Sequence, residues 1–282
     1  MSQRIRRMVR YGLLRIPPRW RARIEICLLR AYEGYLRLRV RGATEPPAGP
    51  DGLPVPPARL RVLVSGTADP EFFLETGRSQ AAFVRATLAR NGVSLAPAAP
   101  VLDFGCGCGR LARWWSGPAG RGLYGCDPNR DLVAWCRANL PFMNAAVTEE
   151  RPPLPYPDAS FDFVYALSIF THLPSAPAAA WMAELARVIR PGGHLLFTTA
   201  GDAYRDRLSD PERRDYDDGR AVAQFDTAAG TNLCIVYHPP AYVRDRMIAG
   251  FELREAFITP EHPEASAAAR LVQDSYLVRR RP

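Results

Sequence analysis

The 282-residue chain contains no lysine, so all 37 of its cationic side chains are arginine. With abundant alanine and proline, this reads as a compositional bias, yet it removes one option: a Tyr-x-x-x-Lys pair cannot be assembled here. Paired cysteines are missing too. Cys27, Cys106, Cys108, Cys126, Cys136 and Cys234 show no C-x-x-C spacing, which argues against a zinc site or a disulfide framework. Reduced thiols of a cytoplasmic protein are the expectation. No apolar run approaches the ~18 residues of a membrane-spanning helix, and no apolar core follows the positive N-terminus as a secretory signal requires.

Positive charge is plentiful but confined. Residues 1–41 hold twelve arginines against Glu25 and Glu33, a net of +10, so the overall +8 leaves −2 for residues 42–282. A basic footprint spread over the body is therefore absent, which argues against a nucleic-acid partner. Within the extension, Ile5, Met8, Val9, Leu13 and Ile16 form one helical apolar stripe and Trp20, Ile24, Leu28, Tyr35 and Leu38 another. Such basic amphipathic helices suit peripheral contact with an anionic membrane. They equally suit packing on the body with arginines facing water, and salt-sensitive sedimentation with anionic vesicles separates the two.

Three units are expected: a basic helical extension over 1–41, a Pro/Gly-rich linker over 42–58, and one domain over 59–282 with a cofactor-binding core at 100–200. Asp69-Pro70 opens a helical region with Phe72, Phe73, Phe83, Val84 and Leu88 as its buried residues. From residue 100 onward strand and helix patterns alternate. Strands fit near 100–104, 122–126, 142–147, 161–166, 194–199, 251–258 and 274–280, and helices near 109–116, 129–139, 177–189 and 240–249. That alternation implies an α/β fold with a mostly parallel, doubly wound sheet.

The strongest chemical signal is VLDFGCGCGR at 101–110. An apolar strand ends in Asp103, and Gly105, Gly107 and Gly109 let the backbone turn tightly and approach a ligand. A dinucleotide fingerprint would place Gly or Ala three residues after Gly107, where Arg110 stands. Asp103 would also oppose a pyrophosphate, whereas its carboxylate suits a ligand carrying an ammonium and a sulfonium. Asp127 closes the next strand in LYGCDPN and can accept two hydrogen bonds from a ribose diol, or cap the helix at 129–139.

The set VLDFGCGCGR, LYGCDPN, LPYPDASFDFVYALSIFTHLP and ELARVIRPGGHLLFTT resembles the class I S-adenosylmethionine-dependent methyltransferases, strongly over about 101–199. GFELREAF and QDSYLVRR look like that fold's last hairpin. The resemblance implies a Rossmann-like sheet of seven strands with a C-terminal antiparallel hairpin. It also implies S-adenosylmethionine as cofactor, with Asp103, Gly105, Cys106, Gly107 and Gly109 around its methionine moiety. Asp127, with Pro128 beside it, would hold the ribose, and Leu167 and Ser168 would flank the cofactor. Arg190-Pro191-Gly192-Gly193 would turn the chain into the fifth strand. Thr148 or Glu149 would stand where many members carry an adenine-contacting Asp.

Methyl transfer from a sulfonium is an in-line displacement, so a base is required only if the acceptor must lose a proton. His172 in FTHLP and His238 in YHPP are the candidates, each also readable as structural. Arg78 could pair with the methionine carboxylate or sit as a solvated helix charge. No metal site is expected, because Cys106 and Cys108 read as small residues in a tight loop. Acceptor specificity is expected in 59–95 and 200–239, the latter with Tyr204, Tyr216, Phe225, Asn232 and Tyr237. The expected function is methyl transfer to a small-molecule, glycan or lipid-linked acceptor. An NAD(P)-dependent reductase and a non-catalytic cofactor-binding or membrane-surface adaptor are the competing readings.

Overall fold

A computed structural model describes residues 46–96, 98–115 and 122–282, with Trp20, Arg23, Ile24, Cys27, Ala31, Gly34 and Val40 in isolation. The paired amphipathic stripes of residues 1–41 lie outside this description but for those seven positions. Among the described residues no helix is long and apolar enough to cross a membrane.

Among residues 46–100, two helices precede the sheet, α1 (Ala58–Ser65) and α2 (Pro70–Arg90). Asp69 starts α2 as N-cap, its carboxylate accepting the Glu71 N–H, with proline at the first helical position. The strands and helices that follow are β1 (Val101–Phe104), β2 (Leu123–Asp127), α3 (Arg130–Asn139), β3 (Met143–Val147), β4 (Phe161–Ala166), α4 (Ser175–Val188) and β5 (Ile189–Thr199). Then come α5 (Asp210–Asp217), β6 (Val222–Gln224), β7 (Ile235–Tyr237), β8 (Phe251–Phe257), α6 (Pro263–Ala269) and β9 (Asp274–Arg280).

Seven strands form one sheet in the order β3-β2-β1-β4-β5-β9-β8. β1 to β5 are mutually parallel, while β9 runs antiparallel between β5 and β8. Both faces are covered, so the strands are apolar on both sides. Leu102, Phe104, Val164, Ala166, Leu195 and Phe197 pack toward Trp181, Met182 and Leu185 of α4. Val101, Phe163, Tyr165 and Leu196 pack the other way, with Val84 and Leu88 of α2 and Cys136 of α3. The period of two along each strand thus divides one sequence into two cores.

Several local expectations are corrected. The helix expected over 109–116 is a 3₁₀ turn at Ala112–Trp115, with Gly117-Pro118 following. Its side chains point inward: Trp115 stacks on Tyr165 with centroids 5.5 Å apart, and Arg113 is buried. Arg190-Pro191-Gly192-Gly193 lies inside β5 as an irregularity, since Phe161 pairs with Ile189 and Phe163 with His194. The helix expected at 240–249 is three α-helical residues, Pro240–Tyr242, running into a π-helical turn, Val243–Met247. Phe72, expected in the core, is 41% exposed. Within the Pro/Gly-rich stretch, Asp51 forms a bidentate ion pair with Arg113 (2.6 and 2.8 Å), and the two side chains are 7% and 1% exposed. Residues 200–239, which carry no shared motif, build a small unit around the β6–β7 pair. Tyr216 and Tyr237 belong to its own core, with Leu208 and Val222.

Candidate active site

In a parallel sheet the C-terminal ends of neighbouring strands open onto one crevice. Here β2, β1 and β4 are neighbours, and their ends carry Asp127, Asp103 and Ser168. The chain leaves β1 through Gly105 and Cys106, whose N–H groups both donate to the Cys126 carbonyl (2.9 and 3.0 Å). The loop is thereby tied to β2. Gly107 N–H then donates to Asp127 Oδ2 (3.0 Å), and Asn129 N–H to Asp127 Oδ1 (2.8 Å). Asp127 is half-buried and holds the loop and the start of α3 at once; Pro128 beside it is exposed. Thr148 follows β3, and its N–H donates to the Asp127 carbonyl (3.2 Å).

Two of the loop glycines are required by contact as well as by conformation. Gly105 and Gly107 have φ of +77° and +55°, the left-handed region that disfavours a side chain. A Cβ on Gly105 would run into the Ile169 side chain, and one on Gly107 would lie 2.7 Å from Val64 of α1. The loop therefore sits beneath two apolar side chains, one from the segment after β4 and one from α1. Asn232 adds to this cover from the connection between β6 and β7, the insert at residues 200–239, its Nδ2 donating to the Leu63 carbonyl (2.8 Å).

The electrostatics centre on Asp103, which is 5% exposed. Burial pushes its carboxyl up to about 7, against the opposing pull of the Tyr165 hydroxyl and the Arg110 guanidinium. Arg110 is half-buried and pushed down only to about 10, so it stays cationic. Burial also raises Asp127, against the two N–H groups it accepts. An ionised carboxylate at Asp103 is thus held against a desolvation penalty that a nearby cation would relieve.

Cys106 is buried beneath the loop against β2, and Cys108 packs with Leu60, Phe73 and Leu132. Ser168 stands after β4 with φ +62°. His172 Nδ1 lies 2.7 Å from the Cys234 carbonyl, so this nitrogen carries the proton and ties the segment after β4 to the insert. His238 is fully buried, stands 5.8 Å from Tyr242 ring to ring, and is pushed down to about 4 by burial. It is neutral at physiological pH. Arg78 pairs with Glu75 on the exposed side of α2 (3.0 Å), the solvated reading of that residue. Tyr165 and Arg110 are the neighbours of Asp103 that sequence reasoning did not assign. Tyr165 is masked by strand alternation, which marks it as core, while Arg110 adjoins the loop and could have been weighed as its counter-charge.

Comparison with known proteins agrees with this geometry. Residues 102–197 match the family model of a methyltransferase domain. The methyltransferase GfsG of Streptomyces halstedii is 36% identical over 103 residues, which are 34% of this chain and 35% of that protein. The malonyl-[acyl-carrier protein] O-methyltransferase of Pectobacterium atrosepticum is 32% identical over 114 residues, 40% of this chain and 44% of that protein. The matched part thus spans less than half of either relative. The crystal structure of an S-adenosylmethionine-dependent methyltransferase from Mesorhizobium loti shares the fold at a TM-score of 0.50 and 18% identity, covering 69% of this chain and 98% of that one. Residues 102–197 are a methyltransferase domain, and the likeness of this chain to methyltransferases rests on them.

Proposed function

We propose that this protein transfers the methyl group of S-adenosylmethionine to a small-molecule, glycan or lipid-linked acceptor. The observation that carries the reading is the pair of carboxylates, Asp103 and Asp127, at the ends of β1 and β2 on either side of a glycine loop. That donor set fits the cofactor. Asp103 would meet the ammonium, Asp127 the ribose hydroxyls, and Arg110, directly after Gly109, the methionine carboxylate. Gly105, Cys106, Gly107 and Gly109 would contribute backbone edge alone, with Pro128 and Ser168 at the rim. The cofactor supplies a methyl on a positively charged sulfur, and the protein's part is alignment in a site screened from water. The covering side chains Ile169 and Val64 support that screening. His172, already oriented through Nδ1, is better disposed than the fully buried His238 to take a proton from an acceptor.

Relatives named for malonyl-acyl-carrier, sterol and fatty-acid methylation favour an acceptor with lipid character. Transfer of labelled methyl into lipid-soluble against water-soluble acceptors decides that point. The cofactor is tested by calorimetric titration with S-adenosylhomocysteine, with NADH and NADPH as controls. Micromolar binding of the first alone supports the proposal, and heat from a nicotinamide with none from S-adenosylhomocysteine refutes it.

The same titration has a pH dependence of known sign. Asp103 titrates near 7 in the free protein and must be ionised to face an ammonium, so binding releases a proton below that pH. Affinity is expected to rise about fivefold from pH 6 to pH 7, to reach about tenfold by pH 8 and to level off above it. Asp103→Asn should flatten the profile. Because the folded-state pKa is raised, ionised Asp103 destabilises the fold as pH climbs from about 4 through 7, so Asp103→Asn should also be the more stable protein at pH 8. A wild-type profile that is flat or falls with pH would remove Asp103 from the site.

A further inference from the structure

The segment after β4 owes its position to a side chain 105 residues away. Ser168 has φ +62°, a conformation that a residue with a Cβ adopts only when its surroundings hold it there. Three hydrogen bonds do so. Ser168 N–H donates to Thr198 Oγ1 (2.8 Å), the Thr198 hydroxyl donates to Gln273 Oε1 (2.6 Å), and Ser168 Oγ donates to the same oxygen (3.0 Å). Gln273 itself, just before β9, is fixed through its backbone. Its carbonyl accepts the Thr259 hydroxyl (2.9 Å), and the next residue, Asp274, accepts the Thr259 N–H (2.9 Å). One carboxamide oxygen thus gathers two hydroxyls from the ends of two parallel strands.

The turn at Ser168 has a direct effect at the cofactor loop. It stops the β4 backbone from running on beside β5 and sends Ile169 back over Gly105, in contact with the place a Cβ would occupy. Thr171 Oγ1 then closes on the Ser168 carbonyl (3.0 Å), starting the 3₁₀ turn Phe170–His172 that carries His172. We propose that Gln273 is a positioning residue for methyl transfer: through Ser168 it sets the distance of Ile169 and His172 from the glycine loop. The inference rests on the proposed function for its catalytic meaning, while the clamp itself is a property of the ligand-free protein.

The test compares wild type with Gln273→Met, which keeps length but accepts no such bonds, and Gln273→Glu, which keeps the acceptor oxygen. Backbone hydrogen exchange is read without ligand, and S-adenosylhomocysteine affinity by calorimetry. Gln273→Met is expected to speed exchange at residues 168–172 by tenfold or more, with α3 unchanged, and to weaken binding about tenfold. Gln273→Glu should stay close to wild type in both. Adding Ser168→Gly to Gln273→Met should recover most of the affinity, because glycine enters the left-handed region without a side-chain penalty. If Gln273→Met does not fold, Ser168→Ala reports on the same clamp by removing one of its donors. Exchange at 168–172 that is unchanged, or that rises equally throughout the domain, overturns the proposal. So does binding by Gln273→Met equal to wild type. A wild type that binds no S-adenosylhomocysteine overturns the proposed function instead, and the exchange data still decide the clamp.

Discussion

Replacing Asp127 by alanine is expected to weaken S-adenosylhomocysteine binding about a hundredfold while the domain stays folded. Two ribose hydroxyls donating to one ionised carboxylate are charge-assisted bonds, each contributing roughly 1.5–3 kcal/mol. The same carboxylate also accepts the Gly107 and Asn129 N–H groups, so alanine loosens the loop that shapes the site. The fold survives for two reasons. β2 keeps its full backbone pairing to β1 and β3. Burial also raises the Asp127 pKa, so its charge is held against a penalty that alanine removes. Titration calorimetry paired with a thermal melt reads both consequences. An affinity within threefold of wild type would place the ribose elsewhere.

Asp51→Ala is expected to destabilise the domain by about 3–5 kcal/mol, with no direct effect on cofactor chemistry. Arg113 is 1% exposed and relies on Asp51 for a bidentate charged partner, with the Leu53 carbonyl as a further acceptor (3.1 Å). Removing the carboxylate takes the bidentate charged partner from a buried guanidinium, the expensive case for an ion pair. Melting should fall by roughly 10 °C or more for a domain of this size. The location makes the result informative. Asp51 belongs to the Pro/Gly-rich stretch, and Arg113 follows the glycine loop, so the pair fastens residues before α1 to the base of the candidate site. A loss below about 1 kcal/mol would mean that this stretch behaves as the loose linker its composition suggests.

What the sequence made legible follows from where information is local. The parallel strands β1 to β4 could be placed within a residue because each is a short, mostly apolar run close to Gly, Pro or Asp. The position of Asp103 and Asp127 at strand ends could be read because a glycine loop and a helix start lie next to them in the chain. Three features were hidden. Trp114-Trp115 looked like the continuation of an amphipathic helix, but burial of Arg113 and stacking of Trp115 on Tyr165 favour a tighter turn. Arg190-Pro191-Gly192-Gly193 had every mark of a turn, yet β5 continues through it by an irregularity against β4. Gln273 carries no local signal at all, since its partners Ser168 and Thr198 are 105 and 75 residues distant. The aromatic residues of 200–239 illustrate the opposite error: Tyr216 and Tyr237 suggested a lining and instead serve the core of their own small unit.

Whether the crevice at the ends of β1 and β2 holds S-adenosylmethionine is decided by a crystal structure with S-adenosylhomocysteine. Ribose hydroxyls are expected within hydrogen-bonding distance of Asp127, the amino group at Asp103, and the sulfur facing the segment from Ser168 to His172. A ligand bound elsewhere, or one in this crevice with Asp127 still making only its two backbone contacts, would contradict that placement.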